Sequence, residues 1–328
     1  MKENNLRGTL ILLVTACIWG SGLIAQKVGM NHMGALLFNG TRMLIASFVL
    51  LPVAIITSKQ SGFYSRDNIF AMLAIDKSFD GNLELEANRI ISKRRRDIIV
   101  GGIACGLFTS IGAGVQQIGI KMVPVGKAGF LTILYVILVP IIGIVMGRKV
   151  GAKLWSCVVI ALIGFALLSL KDGFSGVSLG DIIIVISALF FAIQINVVGV
   201  YSVRTNPILL NMVQMFICGI TNVGVSMMFE NPSFSQIFAG IKPLMYSALL
   251  PGALCFTLQI IGQKNTNPTI ASLVMSTESI FAMVFGAIIL GEHMSGRELL
   301  GCAVIFAATA LAQIPDRKQK LNTDIESK

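Results

Sequence analysis

Charge is scarce in this chain of 328 residues, with Asp, Glu, Lys and Arg together making up only 13%. Soluble domains carry about 25%, so half the usual solvating charge is missing and a soluble globular enzyme is excluded. Histidine is scarcer: His32 and His293 stand alone, both in connections between apolar runs. That leaves no histidine cluster for a metal or a general base. The six cysteines, at 17, 105, 157, 218, 255 and 302, lie inside apolar stretches and form no CxxC pair. They read as small apolar residues rather than as a zinc, redox or disulfide framework. No GxxxxGK[ST] run occurs, so ATP is not expected as a direct driver. No HExxH motif or paired intramembrane aspartates supply a convergent catalytic set, so neither an enzyme nor a cofactor is expected. The net charge of +10 would suggest nucleic acid in a soluble chain, yet no basic run alternates with aromatics, and nucleic acid is not expected as a partner.

What the chain has is apolar length. Hydrophobic residues make up 55% and glycine numbers 33, and the mean hydropathy is +0.81. Spanning a bilayer as a helix takes about 20 mostly apolar residues. Ten such stretches are predicted: Gly8–Val28, Leu36–Thr57, Ile98–Ile120, Gly126–Met146, Lys153–Leu170, Asp181–Tyr201, Pro207–Phe229, Pro243–Gly262, Pro268–Leu290 and Gly296–Ile314. Lys2 and Arg7 ahead of the first run, with Val14-Thr15-Ala16-Cys17, resemble a lipoprotein signal. The run continues to Val28, so it reads as an uncleaved first span.

The connections alternate in charge. One set carries Lys2, Arg7, eight Lys/Arg from Lys59 to Arg96, then Arg148, Lys149, Lys153, Arg204, Lys264 and the basic tail from Arg317. The other set carries only Lys27, Lys121, Lys127, Lys171, Lys242 and Arg297. The positive-inside rule then predicts both termini in the cytoplasm of a multi-pass protein. The one long connection, Ser58–Asp97, ends in Lys93-Arg94-Arg95-Arg96. It reads first as a solvated loop that enforces topology, and second as a regulatory or lipid-binding element.

The two halves overlay. Ser187–Ala192 follows Thr15–Gly20 at a spacing of 172, and Asn211, Gln214 and Met215 fall on Asn39, Arg42 and Met43. Beyond the long connection the spacing drops to 143, where Gln116, Gly119 and Lys121 meet Gln259, Gly262 and Lys264. Pro124 and Gly147 then meet Pro268 and Gly291 at 144. Five spans per half force the second copy upside down in the membrane, an arrangement found in secondary transporters. The predicted fold class is therefore an all-α polytopic membrane protein of ten transmembrane helices in two inverted five-helix repeats, residues 1–171 and 179–314, with a cytoplasmic tail at 315–328.

Four stretches carry a family resemblance: RGTLILLVTACIWGSGLIAQKVG, LLFNGTRMLIA, KAGFLTILYVILVPIIG and SLVMSTESIFAMVFGAIILGE. Together they resemble the EamA branch of the drug/metabolite transporter superfamily over residues 7 to 314. The resemblance implies two inverted EamA domains, movement of small metabolites across a bacterial inner membrane, and a cavity ringed by helices one, three, four, six, eight and nine. Two features depart from the family: Gly147-Arg148-Lys149 where the first half would end in an acidic GE pair, and the length of Ser58–Asp97.

Polar side chains within spans usually face a cavity or another helix. Thr15, Trp19, Gly22 and Gln26 share one helical face, repeated by Ser187, Phe191, Gln194 and Val198. Glu278 is the eleventh residue of its span, about 15 Å from either end, where a lone carboxylate is costly. It is a candidate proton acceptor or ligand for a substrate ammonium. Arg42 has three open readings: snorkelling to the surface, gripping a substrate carboxylate, or pairing with Glu278. Gln116, Gln117, Gln259 and Tyr135 complete the candidate substrate-binding set of Trp19, Arg42, Phe191, Gln194 and Glu278. The expected function is secondary transport of a small metabolite by alternating access, an amino acid or relative leaving the cell, with protons as candidate coupling ion and a homodimer as candidate assembly. A multidrug or organic-cation efflux protein and a membrane sensor without flux are the alternatives.

Overall fold

The computed structural model describes residues 2–75, 82–123, 125–169, 178–290 and 295–314, and among these every regular element is helical. Pro124, Lys171, residues 76–80 of the long connection, the Gly291 repeat match, His293 and the tail 315–328 lie outside the described residues. In chain order the helices are α1 (Lys2–Gly29), α2 (Ala35–Gln60), α3 (Arg66–Ile75), α4 (Leu83–Met122), α5 (Val125–Ile133), α6 (Tyr135–Val145), α7 (Ala152–Ser169) and α8 (Leu179–Tyr201). There follow α9 (Pro207–Phe229), α10 (Phe234–Ala239), α11 (Ile241–Ser247), a π-helical segment (Ala248–Cys255), α12 (Phe256–Gln263), α13 (Pro268–Met275), α14 (Glu278–Leu290) and α15 (Gly296–Gln313). Seven stretches of these helices are long and apolar enough to cross a membrane, and Leu131–Val145, Ala152–Leu167 and Leu299–Ala312 are shorter apolar helices. Seven of the ten stretches expected from hydropathy overlap the span-length helices, and the other three overlap the shorter ones.

The starts of several helices follow from local chemistry. Asn206 and Asn267 accept from backbone N–H groups in the first turns of α9 and α13, and each is followed by a proline, which has no N–H to leave orphaned there. Ser178 and Asp181 close a capping box at α8. The largest departure from expectation is α4, which begins at Leu83 rather than near Ile98 and runs for 40 residues. Asn82 caps it, Glu84 and Glu86 occupy its first turn, and α3 folds back on its extension through Ile69, Leu73 and Ala87. The Ser58–Asp97 connection is thus largely a helical hairpin with its own small core.

Small residues let the spans approach one another. A Cβ on Gly40 of α2 would lie 2.6 Å from the Val223 backbone nitrogen of α9, and one on Gly219 of α9 would lie 2.6 Å from Leu44 of α2. This is the close backbone packing that membrane bundles rely on in place of a hydrophobic drive. Among the polar ties between the N-terminal and C-terminal halves, two involve charged side chains near helix ends. Glu230, at the end of α9, accepts from the backbone N–H groups of Leu36 and Leu37 at 2.9 and 2.8 Å. It thereby caps α2, whose own N-cap residue Gly34 offers no side chain. The second tie is Arg148, just beyond α6, which donates to the Asn196 side-chain oxygen of α8 at 2.8 Å.

Removing the Glu230 carboxylate by Glu230→Ala should cost about 1–2 kcal/mol, read as a lower Tm in detergent. Gly34→Ala should cost similarly, because its Cβ would land 2.4 Å from the Glu230 carboxyl carbon and displace it. Unchanged Tm in both variants would show that the cap carries no stability.

Candidate functional site

Two turns of unusual geometry lie deep in the bundle. Between α13 and α14 the Thr277 N–H bonds to Val274 and the Ile280 N–H to Thr277, each three residues back instead of four. Between α5 and α6 the Leu134 N–H bonds to Leu131 and the Ile137 N–H to Leu134, the same pattern 143 residues earlier. In the later copy the cause is legible: the hydroxyls of Ser276 and Thr277 each bond the carbonyl three residues before, both at 2.7 Å, and compete with the regular ladder. The residues that open the following helices are Tyr135 and Glu278.

Both face a cavity of about 70 Å³, room for roughly five water molecules. Trp19, Leu23 and Gln26 of α1 line it, with Arg42 of α2 and Ala113 and Gln116 of α4. The wall continues with Thr132, Tyr135, Phe191, Gln194 and Ile195, and closes with Pro251, Phe256, Gln259, Met275 and Glu278. Eight of the nine sequence candidates therefore share one wall. Gln117 is the exception: it is fully buried and is not part of the lining. It follows Gln116 on the same helix, so its side chain leaves about 100° away.

Trp19 is fixed at two points. Its indole N–H donates to the Pro251 carbonyl at 3.2 Å, and its ring meets Phe256 edge-on at 5.1 Å. The acceptor belongs to the π-helical segment, a rare local geometry that recurs at functional sites. On the far side, Gln259 donates to Gln194 at 3.2 Å and Gln194 donates to Gln214 at 3.3 Å, a chain of three buried amides. Gln116 is held by Thr132 at 3.0 Å. Two acceptors on lining residues, Gln26 Oε1 and Gln259 Oε1, have no hydrogen-bond partner among the described residues.

Arg42 does not snorkel, since it is only 3% exposed. Its Nε and one Nη donate to the Asn39 side-chain oxygen at 3.0 and 2.7 Å, and its guanidinium lies 5.9 Å from the Phe38 ring centre. No ion pair joins Arg42 to Glu278; among the described residues the ion pairs are Arg66–Glu84 and Arg89–Glu86 on the α3–α4 hairpin. The cavity wall thus carries one cation and one carboxylate that do not neutralise each other by contact.

Some of the lining was not anticipated from sequence. Thr132 stands three residues before Tyr135 and Phe256 three before Gln259, so helical spacing from the chosen residues would have found both. Pro251 contributes a main-chain oxygen, for which sequence gives no signal.

The EamA-like transporter family model matches residues 6–170 and again 178–313. This chain belongs to the EamA-like transporter family. An uncharacterized transporter of Archaeoglobus fulgidus is 26% identical over 304 residues, 92% of this chain and 84% of that protein. One solved crystal structure superposes with a TM-score of 0.66 at 16% identity, covering 94% of this chain and 98% of that one, a likeness of fold. Membership of the family and the apolar helices together make this a multi-pass membrane protein of a transporter family.

Replacing Gln194 with Leu would remove the middle of the amide chain and strand Gln214 and Gln259. Gln194→Leu should destabilise the protein by about 1–3 kcal/mol, measured as a lower detergent-unfolding midpoint, with Gln194→Glu milder. A variant as stable as wild type would mean the chain is not a stabilising network.

Proposed function

We propose that this EamA-family protein is a secondary transporter that moves an amino acid or a closely related zwitterion outward across a bacterial inner membrane by alternating access. The observation that carries the reading is the pairing of Arg42 and Glu278 on one small cavity wall without an ion pair between them. A solute bearing a carboxylate and an ammonium answers both, the first by the bidentate geometry a guanidinium favours. The unpartnered acceptors of Gln26 and Gln259 suit the N–H donors of the ammonium. A cavity of about 70 Å³ suits a solute of amino-acid size. An organic cation is the less favoured cargo because Arg42 would repel it.

The ten-span architecture belongs to this proposal, with inverted repeats at 1–171 and 179–314, a tail at 315–328 and both termini cytoplasmic. Support comes from two independent family matches along the chain and from the matching three-residue turns at Leu134 and Thr277, 143 residues apart. Alternating access by one half rocking against the other would make and break the ties at Glu230 and Arg148. Protons are the candidate coupling ion, taken up at Glu278.

The test is flux in proteoliposomes under an imposed pH gradient, with labelled amino acids and organic cations run side by side. Wild type should move amino acids, and both Arg42→Gln and Glu278→Gln should lower that flux about tenfold or more, the worth of one hydrogen bond to a charged group. Cation flux that rises in Arg42→Gln, with no amino-acid flux, would overturn the zwitterion reading in favour of organic-cation efflux. Folded protein that moves nothing across the panel would favour a sensor.

A further inference from the structure

The α4 helix presents one unbroken outward stripe that changes character midway. Arg89, Lys93 and Arg96 are exposed at spacings of four and three residues, and the same face continues as Val100 (47% exposed), Ile103 (39%), Leu107 (44%) and Ile111 (42%). The opposite face is buried by close approach: Gly101 packs on Tyr201, Gly102 on Val213 and Gly106 on Ile217. A helix in lipid turns such an apolar stripe toward acyl chains, so the change at Arg96 marks the level of the headgroups.

The face of the basic end turned away from this stripe is packed. Arg94 stacks at 4.2 Å over the Phe63 ring and donates to the Phe63 carbonyl, which pins the turn after α2 against α4. Phe63 meets Tyr64 edge-on at 5.2 Å. The Tyr64 phenol is pushed above its ordinary pKa by burial, with Arg94 and Arg95 pulling the other way, so it stays a protonated hydrogen-bond donor beside them. Lys93, Arg95 and Arg96 are exposed and make no ion pair among the described residues. The nearest carboxylate in sequence, Asp97, is turned inward at 8% exposure, and Glu84 and Glu86 are engaged with Arg66 and Arg89.

We infer that this junction is a binding site for an anionic phospholipid, its headgroup phosphate held by Lys93 and Arg96, and its acyl chains laid along Ile103 and Leu107. The continuity of the stripe selects a lipid over a soluble anion, because the apolar half adjoins the cations with no gap. The site is separate from the central cavity and independent of its cargo.

The experiment is thermal unfolding of the purified full chain in detergent, supplemented with phosphatidylglycerol or with phosphatidylcholine. Phosphatidylglycerol should raise Tm as any ligand of the folded state does, and phosphatidylcholine should not. Lys93→Gln with Arg96→Gln, leaving Arg94 on Phe63, should lose at least half of that rise. A second variant, Ile103→Asn, should lose part of it with every cation kept, and it preserves the test if the double variant folds poorly. An equal rise from soluble glycerophosphate would make this a free-anion site and overturn the proposal. So would a wild-type response to phosphatidylglycerol no larger than to phosphatidylcholine, or one unchanged in both variants. A doubled mass in phosphatidylcholine nanodiscs, abolished by Ile103→Asn, would assign the stripe to a second copy of the chain.

Discussion

Inside hydrocarbon there is no water to satisfy a polar group, and this constraint orders the rest of the molecule. The backbone answers it with helices. Side chains answer it by bonding one another or the nearest carbonyl: Gln214, Gln194 and Gln259 link in a row, while Ser276 and Thr277 turn back on their own helix. Polar atoms that find no such answer are therefore informative. Gln26, Gln259, Arg42 and Glu278 border one cavity, with unpartnered acceptors on both glutamines; Gln117 and Gln263 hold unpartnered atoms away from it.

The two halves are alike in backbone but not in charge. At the repeat spacing Arg42 corresponds to Gln214, Glu278 to Tyr135, and Gly22 to Gln194. In the second half Gln194 and Gln214 bond each other; in the first half Arg42 turns to Asn39 and Gly22 packs against Pro251. These differences place a guanidinium and a carboxyl group on one cavity lining.

Sequence carried the helices further than the site. Apolar runs opened by Asn-Pro pairs give α9 at both ends and α13 at its start, because capping and hydropathy agree there, while the break at Ser276-Thr277 that ends α13 was not read. The polar start of α4 was illegible, since a helix of Leu, Glu, Arg and Ile held by packing on α3 has no span-like hydropathy. Most cavity residues were readable because an ionisable or amide side chain deep in a span has few reasons to exist. Gln117 misled for the same reason: burial between helices leaves the same mark in a sequence as a place at a cavity. Gln26 shares a helical face with Trp19 in the sequence and borders the cavity with it, whereas the π-helical segment around Pro251 left no sign beyond the proline.

Glu230 has a consequence for how the chain comes off the ribosome. A membrane protein is inserted as it is made, so α2 enters the bilayer long before residue 230 is synthesised. Until then the first amides of α2 have only Gly34 ahead of them and no side chain to satisfy them. The entry turn of α2 must wait, solvated at the membrane surface, for a carboxylate nearly 200 residues downstream. The halves are in this sense not autonomous: the later one completes a helix of the earlier one.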